Sequence, residues 1–295
     1  MTAAAPRFSP TVQGAIWMIG AIVAFTSMAI AGRAVSFELD TFEIMMYRSF
    51  IGIVVVVSVA RMAGTLGQVT TRSLGLHAAR NLAHFFGQNC WFYALTVIPL
   101  AQLFALEFTS PIWVLLLAPI FLGERLTLVK IAFAALGFFG VWIVARPDFS
   151  APEPGILIAA AAALGFAGSA IFTKMLTRTE TITCILFYLT VMQAVFGVIC
   201  AGYDGDIALP SAASVPWLVL IGLAGLVAHF CLTKALTLAP ASVVMPVDFA
   251  RLPVIALVGM AVYGETLDPL VFLGAAIIFA ANYANILHQA RMAKM

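Results

Sequence analysis

The sequence predicts an all-α integral membrane protein whose ten transmembrane helices form two inverted five-helix repeats, with both termini in the cytoplasm. Three observations support this fold class. Of the 295 residues, 63% are hydrophobic and only 9% are charged, which leaves too little polar surface to cover a soluble globule. Apolar stretches of about 20 residues recur along the chain, each long enough to cross a bilayer core as a helix. The second half of the chain also repeats the first.

Ten apolar stretches are the predicted spans, and most polar segments between them are short. Only the connectors 62–73 and 202–214 are longer, so the spans themselves must carry the chemistry. All four cysteines lie inside spans, where we expect small buried hydrophobic residues and not a disulfide framework. The predicted spans are residues 11–31, 41–60, 74–98, 100–122, 127–145, 155–175, 181–201, 215–238, 241–263 and 267–287.

An offset of 141 residues relates the two halves. Residues 94–126 align without gaps on residues 235–267, and nine of the 33 positions are identical, including Pro99 with Pro240. A short, polar, proline-rich segment between the halves suits an exposed connector. The predicted domains are a first five-helix repeat at 1–147, a connector at 148–154 and a second five-helix repeat at 155–295.

Positive charge is distributed unevenly between the two faces of the predicted bundle. If the N-terminus is cytoplasmic, ten Lys and Arg residues of the connectors and tails lie inside, and only Arg33 and Arg146 lie outside. This bias places both termini in the cytoplasm and predicts a multi-pass protein of the inner cell membrane. Each half then has five spans, an odd number, so the second half enters from the opposite side and the repeats are inverted.

Two carboxylates lie within predicted spans at equivalent positions of the two halves. Glu107 lies about two turns into the fourth span, and Asp248 is its counterpart in the ninth. An ionisable group at this depth costs at least about 2.5 kcal/mol, so each acid needs a partner or a hydrated cavity. Both are candidates for proton coupling or for binding a substrate amine. The alternative is a structural carboxylate that a fixed arginine neutralises.

Two arginines lie near these acids in the predicted arrangement. Arg48 of the second span has a depth comparable with that of Glu107, so the two could pair across helices. Arg251 follows Asp248 by three residues, which places both on one helix face. Arg48 and Arg251 suit a substrate carboxylate or phosphate through bidentate hydrogen bonds. The alternative is that each arginine only neutralises its neighbouring acid.

A polar stripe runs along one face of the third span. Asn81, His84 and Gln88 recur at helical spacing, and polar side chains of a membrane helix are expected to face the bundle interior. His229 of the eighth span aligns with Gln88. The alternative to a cavity wall is interhelical hydrogen bonding that only holds the bundle together. The predicted lining of a central substrate cavity is His84, Gln88, Trp91, His229 and Phe249.

Prolines interrupt the same two spans beside the acids. Pro111 is expected to release the carbonyl of Glu107, and Pro253 that of Phe249, because a helical proline removes the hydrogen bond to residue i−4. Interrupted helices at equivalent places in two halves point to a transporter's binding site. The Gly-Glu pairs at 123–124 and 264–265 are interpreted as structural, since glycine permits a tight turn and glutamate complements the next helix N-terminus.

Several motifs of the chain are typical of one family. They are the prolines at 99 and 240 that open the fourth and ninth helices, the Gly-Glu pairs that end them, the Tyr47-Arg48 pair and the segment HAARNLAHFFGQNCWFYALTVIP at 77–99. With these motifs the chain resembles EamA-type members of the drug/metabolite transporter superfamily over essentially its full length. The resemblance implies a central cavity lined mainly by the third, fourth, eighth and ninth helices, and small organic cargo moved without a bound cofactor.

The predicted function is secondary transport of a small organic metabolite by alternating access, without catalysis. The cargo is expected to be amino-acid-like, zwitterionic or anionic, or flat and aromatic such as riboflavin. The alternatives are a non-transporting structural or regulatory membrane subunit and, less favoured, an integral-membrane enzyme acting on lipid-linked substrates, which lacks support because no HExxH motif occurs. We expect no metal, no cofactor and no nucleic-acid partner. The expected partners are the substrate and the lipid bilayer, and a homodimer is left open.

Overall fold

The computed structural model describes residues 10–123, 126–146, 153–240, 244–266 and 268–292, and within these ranges the chain is helical with no strand. The α-helices are α1 (Pro10–Val35), α2 (Thr41–Met62), α3 (Leu74–Val97), α4 (Leu100–Glu107), α5 (Ser110–Leu122), α6 (Leu128–Ala145), α7 (Pro154–Leu176), α8 (Ile182–Ala201), α9 (Val215–Leu238), α10 (Arg251–Tyr263) and α11 (Pro269–Met292). Two 3-10 helices cover Leu66–Gln68 and Met245–Ala250.

Six helical segments are long and apolar enough to cross a membrane, namely α1, α2, α4 with α5, α7, α8 and α9. Shorter apolar helices cover Leu128–Val144, Arg251–Tyr263 and Pro269–Asn285. α3 has 24 residues, as many as α9, but its polar face lowers its mean hydropathy. These segments are consistent with an integral membrane protein, and each predicted span overlaps at least one of the described helices.

The fourth and ninth predicted spans are not continuous α-helices. α4 ends at Glu107 and α5 begins at Ser110. Pro111 lies in the first turn of α5, where a backbone N–H has no acceptor within the helix, so the N–H that proline lacks costs no hydrogen bond. In the second half the 3-10 helix Met245–Ala250 precedes α10, which begins at Arg251. The interruptions expected beside both acids are therefore present.

The most extensive helix contacts join the first half of the chain to the second, because α1 packs on α9, α3 on α7, α2 on α8 and α6 on α11. Glycine permits the closest of these approaches. A Cβ atom on Gly165 of α7 would lie 2.8 Å from the Cα of Gly87 and 2.9 Å from the carbonyl oxygen of Ala83, both on α3. α3 and α7 therefore pack backbone against backbone beside the polar stripe.

Both Gly-Glu turns were expected to be structural, and the glycines behave as predicted. Gly123 and Gly264 end α5 and α10 with φ of 70° and 65°, a left-handed conformation that favours glycine. Glu265 differs from the expectation that its carboxylate would interact with the N-terminus of the next helix. It accepts the backbone N–H of Leu100, the first residue of α4, at 3.0 Å and pairs with Arg33. Glu124 lies outside the described residues.

One basic side chain in each half binds the last carbonyl groups of a helix. Arg33 at the end of α1 does so for α3, and Lys174 at the end of α7 does so for α9. Cationic groups are favourable at this helix end, where the unpaired carbonyls concentrate negative charge. The acceptors are the carbonyl oxygens of Leu95 and Ile98 for Arg33, and those of Leu236 and Ala239 for Lys174, at 2.8 to 3.2 Å.

Candidate functional site

A cavity of about 60 Å³ lies inside the bundle, between α1, α3, α7 and α9 and the two interrupted segments. In this conformation it has room for a few water molecules. Its wall contains seven of the nine residues expected to contact a substrate, so the fold brings most of them to one place. The seven are His84, Gln88, Trp91, Glu107, His229, Asp248 and Arg251.

The interrupted segments supply a buried cluster of charges on this wall. Arg251 donates to the Glu107 carboxylate and to the Asp248 carboxylate, both at 2.5 Å. Its side chain is 1% exposed, and the rings of Phe104 and Phe25 lie 4.7 and 4.9 Å from its guanidinium carbon. One arginine therefore neutralises one of two carboxylates, and the cluster carries one negative charge when both acids are ionised.

The helix interruptions put these three groups within reach of one another. Glu107 is the last residue of α4, Asp248 lies in the 3-10 helix, and Arg251 is the first residue of α10. Trp91 of α3 joins the cluster, because its indole N–H donates to the second oxygen of Glu107 at 2.7 Å. The stripe on α3 and both interruptions thus meet in a single hydrogen-bonded network.

Arg48 does not form the ion pair with Glu107 that its depth suggested. Its guanidinium donates to the side-chain oxygen of Gln88 at 2.6 Å and lies 3.9 Å from the sulfur of Met28. The expectation was wrong because α2 packs on α8 and α9, which keeps Arg48 away from α4. It is absent from the cavity wall and lies behind it, one hydrogen bond from the lining residue Gln88.

Arg80 lines the cavity and was missed by sequence reasoning. It is 2% exposed and donates to the hydroxyl of Thr173 at 3.2 Å and to the side-chain oxygen of Asn81 at 2.9 Å. Arg80 lies less than two turns from the start of α3, where a lone arginine looks like a charge that marks the end of a span. The signal that could have found it is its place one residue before Asn81 of the polar stripe.

Two histidines of the cavity wall are in edge-to-face contact. The rings of His84 and His229 are 4.6 Å apart between centroids, and the Nε2 atom of each is buried without a hydrogen-bond partner among the described residues. Phe166 lies beside His84, and Phe25 beside His229, at 6.3 and 5.7 Å between ring centroids. The middle of the cavity therefore combines aromatic faces with free imidazole nitrogens.

Further polar atoms of the same cavity also lack partners within the described part of the chain. They are Oδ1 of Asp248 and Nε of Arg251. Buried polar groups are paired in nearly all folded proteins, so unpaired groups around one cavity indicate a ligand or water. The backbone of Phe249 lies in the 3-10 helix, but its side chain, expected to line the cavity, lies outside the described part.

The connector 202–214 covers the end of the bundle where α1 and α3 terminate. Glu38 in the turn after α1 accepts hydrogen bonds from the side chains of Ser211 and Ser214 and from the backbone N–H of Ser211. The hydrogen bonds from Ser214 and Ser211 lower the pKa of Glu38 from its ordinary value. The Glu38 carboxylate thus holds the connector against the bundle while it is ionised.

Apolar helices of membrane-crossing length surround a charged cavity, and these features define a multi-pass membrane protein that takes up a small molecule inside its bundle. The profile of the EamA-like transporter family matches residues 12–146 and 153–286. The chain belongs to this family of transporters, within the drug/metabolite transporter superfamily, as its motifs suggested.

Characterised relatives are similar over nearly the whole chain. The riboflavin transporter of Vibrio cholerae is 30% identical over 275 residues, which cover 90% of each chain. The riboflavin transporter of Rhizobium johnstonii is 30% identical over 95% of this chain and 93% of its own. The S-adenosylmethionine uptake transporter of Rickettsia felis is 26% identical over 90% of each.

A solved crystal structure has the same fold. It covers 96% of this chain and 98% of its own length with a TM-score of 0.70 at 17% sequence identity. At this identity the likeness concerns the arrangement of the helices alone.

Proposed function

We propose that this protein is a secondary transporter of the inner membrane that carries a flat, neutral or anionic organic metabolite, with riboflavin as the leading candidate. The observation that carries the proposal is a cavity lined by aromatic rings and by Arg80, which is bonded to neutral groups among the described residues. No catalytic role is assigned to any residue.

The balance of charge around the cavity favours this class of cargo. Among the described residues, Arg80 and Arg48 are bonded only to neutral groups, whereas Arg251 has two carboxylates. A buried arginine without a counterion is costly, and a ligand that supplies acceptor oxygens or a negative charge relieves that cost. S-adenosylmethionine carries a sulfonium and an ammonium group, so its positive charge suits this wall less well.

The aromatic and polar groups fit a flat heterocycle. Phe25, Phe166 and Trp91 offer ring faces, and aromatic rings pack favourably on a planar ring system. The carbonyl oxygens and ring nitrogens of a flavin can accept hydrogen bonds from Arg80, while its N–H can donate to an imidazole or carboxylate. An amino-acid-like zwitterion would use the arginines but leave most of the aromatic surface uncovered.

The proposed mechanism is alternating access of two inverted five-helix halves, residues 1–147 and 155–295, with ten spans and both termini in the cytoplasm. The pairing of α1 with α9 and of α3 with α7 supports it, since a two-fold axis in the membrane plane exchanges these two pairs. In this topology connector 202–214 lies on the outer side of the membrane.

Glu107 and Asp248 are the proposed coupling groups. Both contact the same guanidinium, so protonation of one carboxylate leaves Arg251 a remaining partner and removes the net negative charge of the cluster. A proton can therefore enter this network without exposing an unpaired buried arginine. That property suits a site that changes protonation during each transport cycle.

Uptake into proteoliposomes tests the proposed cargo. Purified protein is reconstituted into liposomes. Radiolabelled riboflavin, S-adenosylmethionine and phenylalanine are supplied in parallel to these proteoliposomes and to empty liposomes without the protein. We expect saturable riboflavin uptake above the empty control, competed by unlabelled riboflavin, and no protein-dependent uptake of S-adenosylmethionine. Faster movement of S-adenosylmethionine than of riboflavin would contradict the charge argument, and no movement of any of the three would contradict transport of these classes.

A further inference from the structure

A second cluster of reactive side chains lies near the ends of α3 and α8, apart from the transport cavity. His77 is in the first turn of α3, Cys184 is in the first turn of α8, and Glu180 is in the connector between α7 and α8. One ligand atom from each of the three lies within 4.8 Å of the other two. None of the three is part of the cavity wall.

We propose that His77, Glu180 and Cys184 form a binding site for a divalent transition-metal ion of the zinc class. An imidazole, a thiolate and a carboxylate are the three ligand types that Zn²⁺ uses in proteins. A metal was not expected from the sequence, because His77 lies 107 positions before Cys184 and the pair Glu180 and Cys184 is not by itself a metal-binding motif. Folding brings them together.

The distances within the cluster suit tetrahedral coordination. The Cys184 sulfur and the Nε2 atom of His77 are 3.7 Å apart. With a Zn–S distance of about 2.3 Å and a Zn–N distance of about 2.0 to 2.1 Å, tetrahedral ligands have S and N about 3.6 Å apart. A metal ion therefore fits between these two atoms without a rearrangement of either helix.

The carboxylate is the group that points most directly to a missing ligand. Oε2 of Glu180 accepts the hydroxyl of Thr70 at 2.9 Å, but Oε1 is buried and has no partner among the described residues. A buried carboxylate oxygen without a donor is costly, and coordination to a cation would satisfy it. The hydrogen bond from Thr70 meanwhile fixes the orientation of the carboxylate, as an outer-shell group does at many metal sites.

The surroundings hold the other two ligands in place. Cys184 and His77 are both fully buried, and the His77 ring packs on that of Tyr188 with 4.4 Å between centroids. Cys184 lies three residues after the Thr181 N-cap of α8, and the Thr181 hydroxyl accepts the backbone N–H of Cys184, which fixes this turn of the helix. Binding would release the thiol proton to solvent, and water would fill the fourth position.

The alternative is a purely hydrogen-bonded cluster, in which the Cys184 thiol donates to the carbonyl oxygen of Thr70 at 3.7 Å. In that arrangement the Ser73 hydroxyl and the Cys184 thiol also lie close enough to the Glu180 carboxylate to act as its donors, and no cation is needed. It also predicts no affinity for a metal, so the two interpretations differ in a measurable property. The proposal does not depend on the cargo, because metal binding is measured without transport.

Cobalt and zinc titrations of the detergent-purified protein test the site. The purification tag is removed, the protein is treated with a chelator and a reductant, and Co²⁺ is added. We expect one Co²⁺ per chain with a thiolate-to-cobalt charge-transfer band and visible bands of tetrahedral cobalt, all removed by Zn²⁺. Absence of the charge-transfer band in the wild-type protein would overturn the proposal.

Variants assign the ligands. Cys184→Ser should abolish the charge-transfer band, and Glu180→Gln, at the partly exposed connector, should raise the Zn²⁺ dissociation constant roughly tenfold or more. Cys231→Ser, a buried cysteine of α9, is the matched control and should bind like the wild type. If Cys184→Ser does not fold, the Glu180→Gln titration decides, and wild-type affinity in that variant would count against the site.

Discussion

Arg251 and Glu107 form an ion pair at 2.5 Å although 144 positions separate them in the chain. The pair joins the end of α4 to the start of α10, where both predicted spans are interrupted. It is the most direct charged contact between the two halves within the cavity. The charges that were expected to sit separately in each half therefore form one shared cluster.

Replacing either acid of this cluster tests proton coupling. Glu107→Gln and Asp248→Asn each leave Arg251 one carboxylate, so the proteins are expected to fold but to carry no net negative charge in the cluster for a coupling proton to neutralise. Riboflavin uptake driven by an imposed pH gradient should fall to the level without a gradient. Asp204→Asn, an exposed acid outside the helices, is the control, and gradient-driven uptake in both cavity variants equal to that of the wild type would exclude the coupling role.

Arg80 is expected to bind the cargo directly. Arg80→Ala removes a charged donor from the cavity wall, so the KM for riboflavin should rise about 10- to 100-fold, the value of one charge-assisted hydrogen bond. Arg80→Lys should show a smaller rise, because lysine keeps the charge and loses the planar fork. Saturation kinetics in proteoliposomes measure both. Arg61→Ala at the exposed end of α2 serves as the control, and equal KM values in all of these proteins would remove Arg80 from the site.

The aromatic wall gives a second test of cargo shape. Phe166→Leu keeps an apolar side chain beside His84 but removes a ring face, and we expect the KM for riboflavin to rise about 2- to 10-fold, as the loss of one aromatic contact predicts. Phe86→Leu changes a half-exposed phenylalanine of α3 that lies off the cavity. Inhibition of labelled riboflavin uptake by increasing unlabelled riboflavin gives the KM of both variants. A larger effect of Phe86→Leu than of Phe166→Leu would contradict the assignment.

The close approach of α3 and α7 predicts a strict requirement for glycine. In Gly165→Ala the added methyl would lie 2.8 Å from the backbone of Gly87, so the helices must separate and the stability should fall by about 1–3 kcal/mol. Gly168→Ala on the same helix places its methyl 3.4 Å from the Cβ of Ala83, an ordinary contact. Thermal unfolding in detergent should therefore show a lower midpoint for Gly165→Ala alone.

The hydrogen bonds between Glu38 and connector 202–214 should weaken at low pH. The pKa of this carboxyl is lowered in the folded protein by hydrogen bonds from Ser214 and Ser211. The stabilisation that ionised Glu38 gives the connector is therefore present above the ordinary pKa of the carboxyl and is lost as the pH falls through the lowered pKa. Glu38→Gln should mimic the acidic state at pH 7. Faster hydrogen exchange of the connector in the variant, without a change in α9, is the expected result, and unchanged exchange would show that other contacts hold the segment.

Local chemistry was enough to predict much of the architecture. The prolines at 111 and 253 predicted the interrupted helices, and the spacing of Asn81, His84 and Gln88 predicted a buried polar face. Both features depend on residues close together in sequence. For the same reason Gly123 and Gly264 could be assigned to tight turns, since a left-handed residue is a local requirement.

Contacts between helices that are distant in the sequence could not be predicted from local sequence patterns. Hydropathy indicates where a helix crosses the membrane and says little about its neighbours, so Arg48 was assigned to Glu107 when its partner is Gln88. Arg80 was overlooked because its position near a helix end resembles an ordinary boundary charge. The cluster of His77, Glu180 and Cys184 was missed for a related reason, because helices α4 to α7 separate His77 from the other two residues along the chain.

The bonds of Arg33 and Lys174 to helix ends stay within one half of the chain each, whereas Glu265 reaches from the second half to Leu100 in the first. In a movement of one half against the other, the bonds of Arg33 and Lys174 to the helix ends would stay intact, whereas the Glu265 carboxylate would lose Arg33 and the Leu100 N–H as donors and need water in their place. That end of the bundle would then open only as water reached Glu265.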